Sequence, residues 1–473
     1  MIHVKNVKKK LREVCNIEWG ILIILLFIPF VSFCYMDTKS IIHYQINFVD
    51  AFRQGEIGNF YQFCYDKVQY YLQQRIPGSH YATYDFPMYI VLGIWGIPLY
   101  VYCTLAGVEV TDSMIGLIYG KSIYIVAIIF SSIVLYRICL SLKIDRERAK
   151  YCPFLFCSST LIYSSICIMG QSDIIGIVFL LLGIYAYINK NEKMFLLWFT
   201  IAIPFKVFAL FIFIPLLLLE EKNIFRIGIK GSVAVSFMLV SNMIFQDDSL
   251  AMAEKTRFSQ QMLDKLLGNK LPILNSSIPT VMVGFLIICV LCYLHKKDKE
   301  FYEYAVFVPL VTILFLFISF DSYPYWFIYI APMVAIASVY NWKNFDNLLL
   351  FETVGLIALL LAQYMQYAWC FDVQNGEGML LWKLLNGSDV VEWTYLEQVV
   401  TKISFNYMKI LYALYVVCML TIIYISRPSE LQQCTNRKYE IENISLKIRT
   451  RMMINASVAY VPIVWLLYNY LRG

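Results

Sequence analysis

The chain has 473 residues, 60% of them hydrophobic and 15% charged, with a mean hydropathy of +0.63, whereas an ordinary globular domain carries about 25% charged residues. No polar block long enough for a soluble domain interrupts its apolar runs, so a soluble fold is excluded. The net charge of +6 comes from basic clusters scattered between those runs, which argues against a nucleic-acid surface and fits orientation in a membrane.

Apolar stretches of roughly 17 to 25 residues recur along the whole length, each long enough to cross the hydrocarbon core as a helix. The expectation is an all-α, polytopic transmembrane helical bundle of about 12 to 14 spans, forming one membrane domain over residues 1–473. Basic residues Lys5, Lys8, Lys9, Lys10 and Arg12 place residues 1–16 in the cytoplasm. Ile17–Tyr35 lacks a small-residue cleavage site and is long enough to cross, so it is expected to be a retained first span. The stretch 36–112 then forms a large outer loop. Within it, the apolar run 88–106 is expected to be interfacial or re-entrant. Gly93, Gly96 and Pro98 interrupt it, and a full crossing would put the basic cluster Arg137–Lys150 outside.

Spans follow at 114–138, 151–169 and 172–188. The block 194–219 lies between the basic loops Lys190/Lys193 and Lys222–Lys230, so it must enter and return. Each limb is too short to cross about 30 Å at about 1.5 Å per residue. The sequence Ile203-Pro204-Phe205-Lys206 supplies the break. A broken helix is tolerated only where it is buried in protein or lines a watery cavity, which sets Lys206 at a cavity. Further spans are predicted at 227–245, 277–294, 302–319, 325–341, 348–369, 407–425 and 453–471, with a cytoplasmic loop at 426–452 and outer loops at 245–275 and 370–405.

The thirteen cysteines are irregularly placed, without CxxC or Cys/His metal spacing, and are expected as buried free thiols. No metal ligand set is identified and no cofactor is certain; the need for a divalent cation stays open. Gly116-Leu117-Ile118-Tyr119-Gly120-Lys121-Ser122 resembles a phosphate loop but has three residues between its glycines instead of four, and it opens an apolar helix, so it receives no nucleotide role. Asn275-Ser276-Ser277 and Asn386-Gly387-Ser388 match the glycosylation pattern on the side read as outer.

Charged groups in or beside a span are functional candidates by default, because burying them unpaired costs several kcal/mol. Asp37 follows the first span, as a helix-end aspartate or as a functional carboxylate. Asp85, in Asp85-Phe86-Pro87, is either an N-cap or a site residue. Gly170-Gln171-Ser172-Asp173 forms an abrupt outer link that a tight turn alone would explain. Asp321 and Tyr323 sit in the aromatic stretch Phe320–Trp326. Lys206 has no acidic neighbour in sequence and requires a partner or an anion.

This arrangement resembles the GT-C class of membrane glycosyltransferases, in particular the group related to GPI mannosyltransferase II, over roughly residues 17–340. The resemblance rests on Asp37, then Gly55 and Phe60-Tyr61, then Asp85-Phe86-Pro87, Gly170-Gln171-Ser172-Asp173, and Lys206 before Ile214-Pro215. Members of that group commonly have Asp-Tyr-Pro-Pro where this chain has Asp-Phe-Pro-Met, and Lys-Pro-Gln where it has Lys206-Val207-Phe208. The resemblance implies a GT-C-like bundle with interfacial helices in the first outer loop. It also implies transfer of a sugar, mannose in the named group, from a polyprenyl-phosphate donor to a glycan or lipid acceptor at the non-cytoplasmic face. Asp37 would be the catalytic base, with Lys206, Gln171 and Asp173 binding the donor and its phosphate. His80, Asp85, Asp321 and Tyr323 would be substrate-binding, and segments 41–71 and 88–106 would line the lipid groove. Two alternatives stay open: an O-antigen ligase or polymerase, and a polysaccharide transporter or flippase, to which the broken 194–219 block would suit.

Overall fold

The computed structural model describes residues 2–33, 37–73, 81–110, 113–246, 249–273, 276–296, 300–371, 405–434 and 443–472. Over these the chain is an all-α bundle whose strands are confined to the short hairpin β1 (Lys270–Ile273) and β2 (Ser276–Pro279). Among the described residues, six helices are long and apolar enough to cross a membrane: Phe86–Ala106, Met114–Ser141, Ile224–Ile244, Phe301–Ser319, Trp342–Gln366 and Asn406–Ile425. Five shorter apolar helices accompany them: Ile17–Ser32, Asp173–Ile188, Phe208–Glu220, Thr280–Leu294 and Pro324–Tyr340. The apolar runs are thus the spine of the fold, but fewer of them than the expected dozen have full crossing length on their own.

Helix α1 (Ile2–Ser32) runs unbroken from the basic start into the first apolar run. Helices α2 (Asp37–Gln54) and α3 (Phe60–Gln73) follow, both amphipathic and short of crossing length in apolar residues. Helix α4 (Phe86–Ala106) does not break where Gly93, Gly96 and Pro98 suggested; it is one helix of 21 residues, capped by Gly107 in the left-handed conformation. The two glycines serve close packing instead. A Cβ on Gly93 would stand 2.0 Å from the Phe48 ring, and one on Gly96 would stand 2.6 Å from the Gln45 carbonyl oxygen. Helix α5 (Met114–Ser141) also closes on α2, where a Cβ on Gly120 would meet Ile42 at 2.4 Å.

The predicted span 151–169 is not one straight helix. Helices α6 (Arg146–Ala149) and α7 (Tyr151–Cys157) form one limb, and a π-helical turn at Ile162–Ile168 forms the other, with a 55° bend between them. A bend strands carbonyl groups, and in an apolar interior each needs a donor. Arg451 Nη2 donates to the Leu155 carbonyl at 3.1 Å, and Asn455 Nδ2 donates to the Ser158 carbonyl at 3.0 Å. Both donors come from the C-terminal helix Ile444–Ala459, which corrects a further expectation. Part of the predicted 426–452 loop is helix packed into the bundle, and the predicted span 453–471 is divided at Tyr460, ahead of Pro462. Arg451 is held there by Glu352, with Nε–Oε2 and Nη2–Oε1 distances of 2.6 Å, both side chains being buried.

Helices α8 (Asp173–Ile188), α9 (Glu192–Phe205) and α10 (Phe208–Glu220) follow, with the break between α9 and α10 falling at Lys206-Val207 after Pro204. Then come α11 (Ile224–Ile244), α12 (Leu250–Leu266), the β-hairpin, α13 (Thr280–Leu294) and α14 (Phe301–Ser319). A 3-10 turn at Pro324–Tyr329 leads into α15 (Ile330–Tyr340), and α16 (Phe345–Gln366) precedes the C-terminal helices Phe405–Ile425, Pro428–Cys434, Ile444–Ala459 and Val461–Arg472. The ten described cysteines are free thiols, all buried except the half-buried Cys103.

Candidate functional site

The α9–α10 break places the Lys206 backbone in an extended conformation, and its side chain reaches the first residue of α8. Lys206 Nζ lies 3.0 Å from Asp173 Oδ1, with Asp173 fully buried and Lys206 mostly so. Asp173 is therefore the partner that Lys206 required. The pair arises because Gly170 adopts φ +66°, turning the chain sharply at the end of the π-helical turn so that α8 starts with its aspartate against the break. A Cβ on Gly170 would stand 1.7 Å from Thr38 Oγ1. This contact sets the first turn of α2, which begins at Asp37, directly against the Gly170–Asp173 link.

Lys206 forms part of the wall of a cavity of about 320 Å³. Its ammonium lies 5.2 Å from the Trp326 ring centroid and 5.7 Å from that of Tyr84, within cation–π range. Asp85, Thr83 and Ser259 add polar groups, and the remaining wall is apolar, with Phe205, Phe208, Met238, Met262 and Phe320 among its residues. Trp326 Nε1 is buried and has no hydrogen-bond partner among the described residues.

Asp85 occupies the N-cap position of α4 with Pro87 in the first turn, but its carboxylate makes no capping bond. It pairs instead with Lys255 of α12 at 3.1 Å. Lys255, itself buried, also donates to Asn242 Oδ1 at 2.7 Å and to Tyr61 Oη at 3.2 Å. Tyr61 in turn donates to the Tyr84 carbonyl at 2.8 Å. Burial, reinforced by the Asp85 carboxylate, pushes the Tyr61 phenol far above its ordinary value, so it stays protonated and can keep both bonds.

A second polar cluster adjoins the cavity through Trp326. Asp321 accepts from Tyr367 Oη at 2.6 Å and lies 3.6 Å from Lys265 Nζ. The Lys265 ammonium stands 4.2 Å from the Tyr323 ring centroid, and Tyr323 packs edge-on to Trp326 at 5.3 Å.

The structure thus brings Asp85 and Lys206 together at one cavity, with Asp173 buried behind Lys206 as its ion-pair partner and Asp321 and Tyr323 next to it. Gln171 is fully buried in the link behind the cavity and does not line it. The backbone of Asp37 starts α2 at that link; its side chain and all of His80 lie outside what is described, as do Asn275 and the segment containing Asn386. Among the described residues no cluster of three or more His, Cys, Asp or Glu could hold a metal ion.

Sequence reasoning missed three lysines. Lys255 and Lys265 fall in the stretch 245–275 read as an outer loop, although positions 255, 258, 259, 262, 263 and 266 follow the spacing of one helix face. Lys121, set aside with the false phosphate loop, is buried and donates to the carbonyls of Phe30 at 2.8 Å, Cys167 at 2.6 Å and Phe33. It satisfies the terminal carbonyls of α1 and ties them to the π-helical turn.

No protein-family model, no curated protein and no solved structure matches the chain.

Proposed function

We propose that this protein is a membrane glycosyltransferase that moves a sugar from a polyprenyl-phosphate-linked donor to a glycan or lipid acceptor at the non-cytoplasmic face. The observation that carries this reading is the cavity itself. A predominantly apolar wall meets a buried Lys206–Asp173 pair, a carboxylate from Asp85 and an unsatisfied Trp326 donor. Those elements suit an amphiphile with an anionic, hydroxyl-bearing head. The apolar wall takes the start of the hydrocarbon chain, the Lys206 ammonium steadies the departing phosphate, and Asp85 and Trp326 meet sugar hydroxyls. Asp173 holds Lys206 in place through their ion pair.

Sugar transfer also needs a base within reach of the acceptor hydroxyl. Asp37 is assigned that role, since it opens the helix whose first turn abuts the Gly170–Asp173 link. In this scheme the acceptor hydroxyl attacks the anomeric carbon, its proton passes to the Asp37 carboxylate, and the bond to the lipid phosphate breaks with the charge going to phosphate oxygen. No redox partner is involved.

The test supplies purified protein with a panel of radiolabelled polyprenyl-phosphate sugars and a mixed glycolipid acceptor fraction, comparing the native chain with Asp37→Asn. Transfer from one donor is expected, reduced at least about 100-fold in the variant, the lower end of general-base contributions. Equal turnover by both proteins removes Asp37 from the chemistry, and no transfer from any donor removes the proposed function.

A further inference from the structure

Helix α12 forms one side of the cavity and is fastened at two places along its length. Its cavity residues Phe258, Ser259, Met262, Leu263 and Leu266 continue the face that Lys255 begins. The opposite face is largely exposed and holds its own local pairs, Arg257 with Glu254 at 2.7 Å and Gln260 with Asp264 at 2.9 Å. Lys255 fastens the first half, reaching Asp85 ahead of α4, Tyr61 of α3 and Asn242 of α11. Lys265 fastens the last turn, reaching Asp321 and lying over the rings of Tyr323 and Tyr367. Ten residues separate the two lysines, about 15 Å of helix at about 1.5 Å per residue, and the cavity residues lie between them or one position beyond. Most side chains of α12 are exposed, so little apolar burial holds the helix down.

We propose that α12 is a strap closed over the cavity by two lysine latches, and that release of the latches admits the ligand. Each latch is a lysine drawn to a carboxylate and an aromatic ring on other elements. A lipid phosphate arriving at the cavity competes with Asp85 and Asp321 for the same ammonium groups, so an anionic head favours the open strap where a neutral lipid does not. Access to the cavity is regulated in this way whatever ligand it takes; only the ligand's identity rests on the proposed function.

The test needs no turnover. Thr83, a half-buried cavity residue, is replaced by cysteine, and its rate of modification by a membrane-impermeant maleimide is followed in purified protein, with the unsubstituted chain as background for its own cysteines. Lys255→Met with Lys265→Met should raise that rate at least about tenfold, and Lys265→Gln alone should raise it by a smaller factor. The exchanged pair Lys265→Asp with Asp321→Lys should return the rate to that of native latches. A double variant that labels within about twofold of the native rate, with an unchanged unfolding midpoint, overturns the strap. If the double variant does not fold, Lys265→Gln and the exchanged pair decide: labelling in both that equals the native rate, or an exchanged pair as fast as Lys265→Gln, overturns it. A chain that transfers no sugar yet shows latch-dependent labelling loses the proposed function and keeps the strap. A working transferase with latch-independent labelling does the reverse.

Discussion

The Arg451–Glu352 pair offers the sharpest test of how the bundle is held together. Replacing Arg451 with Met removes two contacts of 2.6 Å to Glu352, one of 2.6 Å to Ser158 Oγ and one of 3.1 Å to the Leu155 carbonyl. It also leaves Glu352 charged and only 3% exposed in an apolar interior. Breaking one side of a buried pair costs about 3–5 kcal/mol, because the stranded charge dominates the loss. Glu352→Leu strands the guanidinium instead, though Ser158 and the Leu155 carbonyl still hold it, so the loss should fall near the lower end of that range. Removing both partners leaves no stranded charge, and replacing a buried pair by apolar residues is often close to neutral. The double variant should therefore lose far less than the sum of the singles, with a coupling energy of at least about 2 kcal/mol. Reversible denaturant unfolding in detergent, followed by tryptophan fluorescence, measures all four corners of the cycle. Additive losses, or an Arg451→Met loss under about 1 kcal/mol, would refute the claim that this pair carries charge in a desolvated site.

Two further predictions are narrower. Lys206→Met removes the 3.0 Å ion pair to buried Asp173 and should destabilise by about 3 kcal/mol. Lys206→Met with Asp173→Asn should recover most of that stability without recovering donor binding, measured by equilibrium binding of a labelled polyprenyl phosphate; recovered binding would detach Lys206 from the phosphate. At the α10–α11 connection, the Lys230 ammonium and the Asn223 amide hold the Glu221 carboxyl down at about 2, from an ordinary 4.5. A carboxyl depressed on folding contributes stability that is complete above its unfolded value and fades as pH falls towards its folded one. Native protein should therefore lose stability between about pH 4.5 and pH 2 more steeply than Glu221→Gln, by no more than about 1 kcal/mol for a pair near solvent. Parallel acid-unfolding curves would contradict this.

The features that sequence exposed are local ones. Composition is enough to identify apolar helices, and Pro204 followed by Lys206 marks the α9–α10 break because both the kink and the charge lie within three residues. The failures have a common physical cause, since each depended on a neighbour distant in sequence. Gly93 and Gly96 look like interruptions until Phe48 and Gln45 are seen against them. Arg451 reads as a loop charge until Glu352, 99 residues away, is found beside it. Lys206 found Asp173 and Lys255 found Asp85 across separate helices, and no periodicity along one strand of chain encodes such pairings. The amphipathic spacing of α12 was readable, but which cavity its face covers was not.

The glycines around α2 carry a mechanical consequence. Gly93 and Gly96 of α4 and Gly120 of α5 close on the Ile42, Gln45 and Phe48 face of that helix with no room for another methyl group, and packed interiors deform little. Sliding or rolling by even a fraction of an ångström would drive Phe48, Gln45 or Ile42 into backbone. Helix α2, which Asp37 opens, is therefore packed without slack along the face that carries Ile42, Gln45 and Phe48. Under the proposed function, a substrate approaches a helix that packing holds in place.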